Sequence, residues 1–187
     1  MSEINAHFLD DELIPGDIFC FRSRTTYGKG IRSVLGSYTN HNGLFVRRDG
    51  MWYIGEAITP ESVLTPLPVY EDELGSGSIA RVFRVPKATP QEREAVEEFF
   101  LQEQIGIPYP VKQMWKLLAF RVVNNLPWRI RGEWCTRLVW DAWGHIDPGI
   151  FNRPDGKRKK NPTPRTLENR LVAGVVIDVT SQVLVWS

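Results

Sequence analysis

The sequence predicts a single α+β domain in which an antiparallel sheet or small barrel packs against helices. Three observations carry this. The first half of the chain reads as short strands broken by turn residues, and the stretch from 90 to 143 reads as helices. Two of the strands meet at Asp49-Gly50, a hairpin signal that makes their pairing antiparallel. A length of 187 residues suits one domain over 1–187 and can bury a core without disulfides or metals.

Residues 1–13 read as a polar N-terminal arm. Ile14-Pro15-Gly16-Asp17 is a turn that leads into a short strand, Ile18-Phe19-Cys20-Phe21. Arg22 to Tyr38 is rich in Gly, Ser, Thr and Arg, with a weak apolar set at Ile31, Val34 and Leu35; it reads as a loop with one or two helical turns. His41–Val46 and Met51–Ile58 are the strands of the hairpin, and Ile79–Val85 is another strand. Thr89 is placed to cap a helix opened by Pro90-Gln91-Glu92-Arg93, running to Gln104 and stopped by Gly106 and Pro108. A second helix is expected over Val111–Val123, and a third from Cys135 to Trp143, ending at Gly144. The segment 152–166 reads as a mobile basic loop, a solvated charge run, although its Lys157–Lys160 stretch could touch an anionic partner. Gly174–Trp186 is β-branched and suggests one or two strands.

Composition excludes several classes. The formal net charge is +1, which gives no overall attraction to nucleic acid or anionic membranes, so no nucleic-acid partner is expected. No apolar run approaches the roughly 20 residues that cross a bilayer. The start, Met1-Ser2-Glu3-Ile4-Asn5 followed by Asp10-Asp11-Glu12, lacks the basic and apolar regions of a secretion signal. The chain is therefore expected to be cytoplasmic as synthesised, or virion-associated or exported by a specialised route. Two cysteines, Cys20 and Cys135, make no disulfide framework. His7, His41 and His145 are scattered without zinc-ligand spacing, so neither a metal nor another cofactor is expected.

The hairpin brings two chemically useful residues onto one face. With Asp49-Gly50 as a two-residue loop, Arg48 faces Met51, Phe45 faces Ile54 and Gly43 faces Glu56. His41, Gly43 and Phe45 then share a face with Trp52, Ile54 and Glu56. Glu56 lies diagonal to His41, about 7–8 Å away at Cα, and Gly43 puts no side chain between them. A carboxylate on one ring nitrogen fixes the tautomer and leaves the other nitrogen as a base. The plainer reading is a surface His and Glu on a hairpin.

Cys135 opens an apolar-periodic helix, with Leu138, Val139 and Ala142 at i+3, i+4 and i+7. Unpaired N–H groups and the helix dipole at a first turn favour a thiolate and can hold an oxyanion. A buried structural cysteine is the alternative. Cys20, mid-strand among Ile18, Phe19 and Phe21, reads as core. His145 lies past the far end of the Cys135 helix and reads as structural or solvent-facing. Tyr109 offers a hydroxyl near the site, with a packing role as the alternative.

Four motifs in order resemble the permuted NlpC-type papain-like cysteine hydrolases, in particular their YiiX/YaeF-like amidase/peptidase group. They are Pro15-Gly16-Asp17-Ile18-Phe19, His41-Asn42-Gly43-Leu44-Phe45-Val46, Ile54-Gly55-Glu56-Ala57, and Trp134-Cys135-Thr136-Arg137-Leu138-Val139-Trp140-Asp141-Ala142-Trp143. Gly106-Ile107-Pro108-Tyr109 is similar to a motif found before the cysteine helix there. The resemblance spans residues 14 to 143. It implies a papain-like fold, circularly permuted, with Cys135 as nucleophile, His41 as base and Glu56 as the residue that orients the histidine. Tyr109 and Trp134 are candidates for substrate or oxyanion contacts. Thr136 and Arg137 depart from the small and acidic residues usual after the cysteine, and Pro110 stands where relatives often have Asp.

The expected activity is cleavage of an amide bond in peptidoglycan or a peptide-like substrate through an acyl-enzyme. Hydrolysis of a lipid ester or thioester, acyl transfer, or a catalytically silent binding module are the alternatives.

Overall fold

The computed structural model describes residues 6–111, 135–147, 150 and 162–186. Six strands build one antiparallel sheet: β2 (Ile18–Arg22), β3 (His41–Arg48), β4 (Met51–Ala57), β5 (Ser62–Pro66), β6 (Ile79–Arg84) and β7 (Ile177–Asp178), in the linear order β5-β4-β3-β2-β6-β7. A second sheet pairs β1 (Ala6–Phe8) with β8 (Leu184–Trp186). The helices are α1 (Thr26–Leu35), α2 (Leu67–Gly75), α3 (Pro90–Phe99), which continues as a π-helical turn over Phe100–Gln104, α4 (Cys135–Ile146), α5 (Pro164–Val172) and the short α6 (Thr180–Val183). The expected α+β class with helices against an antiparallel sheet is found, as an open sheet rather than a barrel.

Both faces of the large sheet are covered, because side chains alternate along each strand. Ile18, Cys20, Leu44 and Val46 point to one face and pack with Val96 of α3, Phe100, and Leu138, Val139, Trp140 and Trp143 of α4. Phe19, Phe21, Phe45 and Ile54 point to the other and pack with Leu67, Tyr70 and Leu74 of α2, Phe8 of β1 and Val183 of α6. The turn before β2 ties these layers together. The Trp143 indole N–H donates to the Gly16 carbonyl at 3.0 Å, and fully buried Asp17 accepts from the Arg84 guanidinium and from Arg93.

The Asp49-Gly50 hairpin forms in the expected register, with Arg48 opposite Met51, Phe45 opposite Ile54 and Gly43 opposite Glu56. Its two turn residues have φ of 52° and 79°, the pair of positive values that a tight hairpin with right-handed strand twist requires. The Thr89 cap is also as expected: its hydroxyl accepts from the Glu92 N–H while the Glu92 carboxylate accepts from the Thr89 N–H.

Other expectations are corrected. The stretch read as a loop with one or two turns holds the ten-residue α1, because Thr25 caps it through the Gly28 N–H at 3.0 Å and Gly36 closes it in the left-handed region. The polar arm 1–13 contains β1, held by backbone pairing to β8. Helix α4 passes through Gly144 to Ile146 rather than ending at Trp143, since nothing in Gly144 forbids helical backbone. Of the segment read as a basic loop, Pro164 to Thr166 belong to α5, with Pro164 at a first-turn position that has no need of an N–H. The C-terminal stretch holds β7 and β8 with α6 between them. The body of the helix expected over Val111–Val123, the Lys157–Lys160 run and Trp134 lie outside the described residues.

Candidate functional site

His41 is the first residue of β3, so its ring sits at the margin of the sheet rather than within it. The hairpin register puts Glu56 diagonally across on β4, and the His41 Nε2 meets Glu56 Oε2 in a short ion-paired contact. Gly43 makes this approach possible. A Cβ there would lie 2.5 Å from Ile54 Cγ2 and 2.9 Å from the Gly55 carbonyl oxygen.

Glu56 is only 1% exposed, a costly place for a charge without partners. Two further donors answer that cost. The Thr65 hydroxyl of β5 donates to Oε1, and the Tyr70 hydroxyl of α2 donates to Oε2 at 2.5 Å. Burial pushes the Glu56 carboxyl up, but His41, Thr65 and Tyr70 together hold it below the ordinary carboxylate value.

Cys135 arrives from the opposite layer. Helix α4 packs on the face carrying Leu44, while His41 and Glu56 belong to the other face; the two meet only because His41 lies at the strand end, where α4 begins. The first turn of α4 is pinned to β3 by Thr136, whose hydroxyl donates to Asn42 Oδ1 at 2.8 Å. Cys135 and His41 line the same cavity, His41 Nε2 is held by Glu56, and Cys135 and His41 each shift the other's titration. Burial raises the Cys135 thiol, yet the His41 imidazolium, the Asn42 backbone N–H and the Thr136 hydroxyl outweigh it and bring the thiol below its usual value. His41 shows the complement: burial disfavours its charge, but the Glu56 carboxylate and Cys135 push it up to about 10. The two shifts run in the directions that favour a thiolate beside an imidazolium.

A cavity of about 420 Å³ opens onto this group. Cys135, His41 and Glu56 line it together with Tyr109, Tyr70 and Thr65. Burial, and then the charge on Cys135, raise the Tyr109 hydroxyl, so it stays a neutral donor beside the thiol. Three apolar side chains on the cavity wall, Tyr27, Ile58 and Val69, are 58%, 37% and 50% exposed. The other sulfur and imidazole are elsewhere. Cys20 is buried in mid-strand, and exposed His145 stacks on Phe99 with ring centroids 4.3 Å apart. Arg137, one of the departures, gives its Nε to Asp141 one turn on in α4.

Sequence reasoning placed His41, Glu56 and Cys135 but not Thr65, Tyr70 or the clasp from Thr136 to Asn42. Thr65 follows from continuing the sheet by one strand, since β5 sets it opposite Ile54 and diagonal to Glu56. Tyr70 has no such signal, because its approach depends on how α2 folds back over the sheet.

No family model matches the sequence, and no curated protein matches it. Among solved structures, the fold is similar to the crystal structure of the metalloprotein yiiX from Escherichia coli O157:H7, with a TM-score of 0.58 and 20% identity over 76% of this chain and 71% of that one. That likeness is one of fold.

Proposed function

We propose that this chain is a thiol hydrolase of the permuted NlpC-type papain-like kind, with Cys135 as nucleophile, His41 as base and Glu56 as the group that orients His41. One observation carries the reading: a thiol in the first turn of α4 and an imidazole held by a buried carboxylate face one cavity. The thiolate attacks a carbonyl carbon, and N–H groups at the start of α4 receive the developing oxyanion. The C–N bond breaks as His41 hands its proton to the departing amine. Water, deprotonated by His41, then attacks the thioester; the C–S bond breaks and the thiolate returns. Glu56 supports the imidazolium at each stage.

An amide in a peptide-like substrate, peptidoglycan among them, ranks first. Hydrolysis or transfer of a lipid ester or thioester is the second reading, favoured by the exposed apolar rim of Tyr27, Ile58 and Val69. Amide and ester substrates sharing one acyl group would separate them by their kcat/KM. The yiiX protein is described as a metalloprotein. Among the described residues of this chain no three His, Cys, Asp or Glu side chains gather to hold a metal ion, and His41 Nε2 is taken by Glu56. The donor set does not fit a metal.

The test is iodoacetamide labelling against pH, resolved by mass spectrometry, in wild type and His41→Ala. Cys135 should label fast near neutral pH and about 10–30-fold more slowly without His41, as the thiolate falls to a few per cent. Labelling of Cys135 no faster than Cys20, or indifferent to His41, would leave a binding module as the better reading.

A further inference from the structure

The carboxylate behind His41 has more donors than an orienting contact needs, and they come from β5 and α2, outside the elements that carry His41, Glu56 and Cys135. We infer that Tyr70, together with Thr65, is a positioning residue for the hydrolysis, fixing the Glu56 carboxylate so that its Oε2 faces His41 Nε2. This rests on the thiol-hydrolase reading and extends it to α2 and β5.

Geometry supports it at three points. Tyr70 is 9% exposed, and its ring is wedged edge-on against Phe19 and Phe21, with centroids 4.6 and 5.0 Å away. That packing aims the hydroxyl, which donates at 2.5 Å to the same oxygen that His41 uses. Thr65 takes the other oxygen, so the carboxylate cannot rotate without breaking one of three bonds. Burial and the Glu56 charge raise the Tyr70 phenol, so it remains a donor wherever the enzyme works. The titratable groups around Glu56 are His41 from β3, Tyr70 and Glu73 from α2, and Cys135 from α4.

Removing a donor makes Glu56 harder to ionise. It then takes a proton at higher pH, His41 loses its counter-charge, and the thiolate of Cys135 disappears earlier on acidification. The acid limb of Cys135 alkylation should therefore move to higher pH, by about one unit for the loss of one hydrogen bond to a buried charge.

The experiment compares that limb, with iodoacetamide as probe, in wild type, Glu56→Gln, Tyr70→Phe, Thr65→Val and Thr65→Ser. Glu56→Gln sets the full extent of the shift. Tyr70→Phe keeps the ring between Phe19 and Phe21, and its thermal midpoint reports whether packing survives. Thr65→Val should move the limb and Thr65→Ser should restore it, which gives a second route independent of α2. A limb that moves in Glu56→Gln but stays in place in both Tyr70→Phe and Thr65→Val overturns the inference and leaves the hydrolase reading intact. If wild-type Cys135 labels no faster than Cys20, the hydrolase reading falls and this inference with it.

Discussion

Both cysteines of this chain are buried and both are free, yet their thiols are driven in opposite directions. Cys20 sits in the middle of β2, where the Asn42 amide donates to its sulfur at 3.1 Å. Burial still dominates there and raises the thiol far out of the working range. Cys135 is as deeply set, at 6% exposed, but burial loses. The difference is a cation and a helix start. A neutral amide offers one hydrogen bond to a thiolate, whereas His41 offers a full charge, and Glu56 keeps that charge in place. Burial alone therefore says little about a cysteine; the identity of its nearest donor decides.

The widest gap between the two should appear in turnover. On the proposed hydrolysis, Cys135→Ala is expected to lower kcat by at least about 10³-fold on any substrate found by screening, the loss that follows removal of a nucleophile acting with its base. Cys20→Ala should leave turnover within about twofold, because Cys20 is absent from the cavity lining. Comparable losses in both variants would mean that the rate reports folding rather than chemistry.

The second expected effect is on the pH dependence of stability. His41 rises from 6.5 to about 10 on folding, so its contribution is complete below 6.5 and is lost as pH climbs through about 10. Cys135 falls from 9.0, so its contribution is complete above 9.0 and is lost as pH drops through its folded value. Folding thus adds a proton to His41 and removes one from Cys135, and the two slopes oppose each other. The stability gap between wild type and the Cys135→Ala/His41→Ala double variant should shrink at alkaline pH, as His41 loses its proton, and at acid pH, as Cys135 takes one up, measured by denaturant midpoints at stepped pH. A gap that only rises or only falls with pH would show that no ion pair forms.

Asn42 allows the comparison to be sharpened, since its side chain serves one cysteine and its backbone the other. Asn42→Ala leaves the Cys20 sulfur without its donor and the Thr136 hydroxyl without its acceptor, both buried. A loss of about 1–3 kcal/mol in denaturant stability is expected. The backbone N–H that faces Cys135 remains, so fast labelling of Cys135 near neutral pH should survive. If labelling collapses in a folded variant, the clasp from Thr136 to Asn42 sets the position of the thiol as well.

How much of this was legible beforehand follows the range of the interactions. The His41–Glu56 contact could be counted out from Asp49-Gly50, because a tight turn and a period of two fix every partner along a hairpin. The α3 cap was legible for the same reason, as Thr89 and Glu92 are three residues apart. Helix α1 was underread: Tyr27, Ile31, Val34 and Leu35 mark one side of it, but Gly28 and Gly30 dilute the pattern, and the cap at Thr25 and the stop at Gly36 were the better signals. Tyr70 was out of reach, because local spacing does not say where a helix lands on a sheet. The meeting of Cys135 with His41 spans two layers and depends on His41 being at a strand end, which only the assembled fold supplies.

The smallest expected effect concerns Cys20 alone. Its side chain is fully buried against Asn42 within the core that also holds Leu44 and Trp140. Cys20→Ala removes one sulfur, and with it a modest apolar contact and the acceptor of the Asn42 amide. A cost of about 1 kcal/mol is expected, read as a shift of the denaturant midpoint with unchanged slope. Cys20→Val adds branched volume beside the same amide and should cost more, since a packed interior tolerates excess poorly. Neither change should move the acid limb of Cys135 labelling, because Cys20 supplies no charge and no hydrogen bond to the thiol at α4. If either variant does move that limb, the two sulfurs are coupled through Asn42, and the core cysteine helps to position the reactive one.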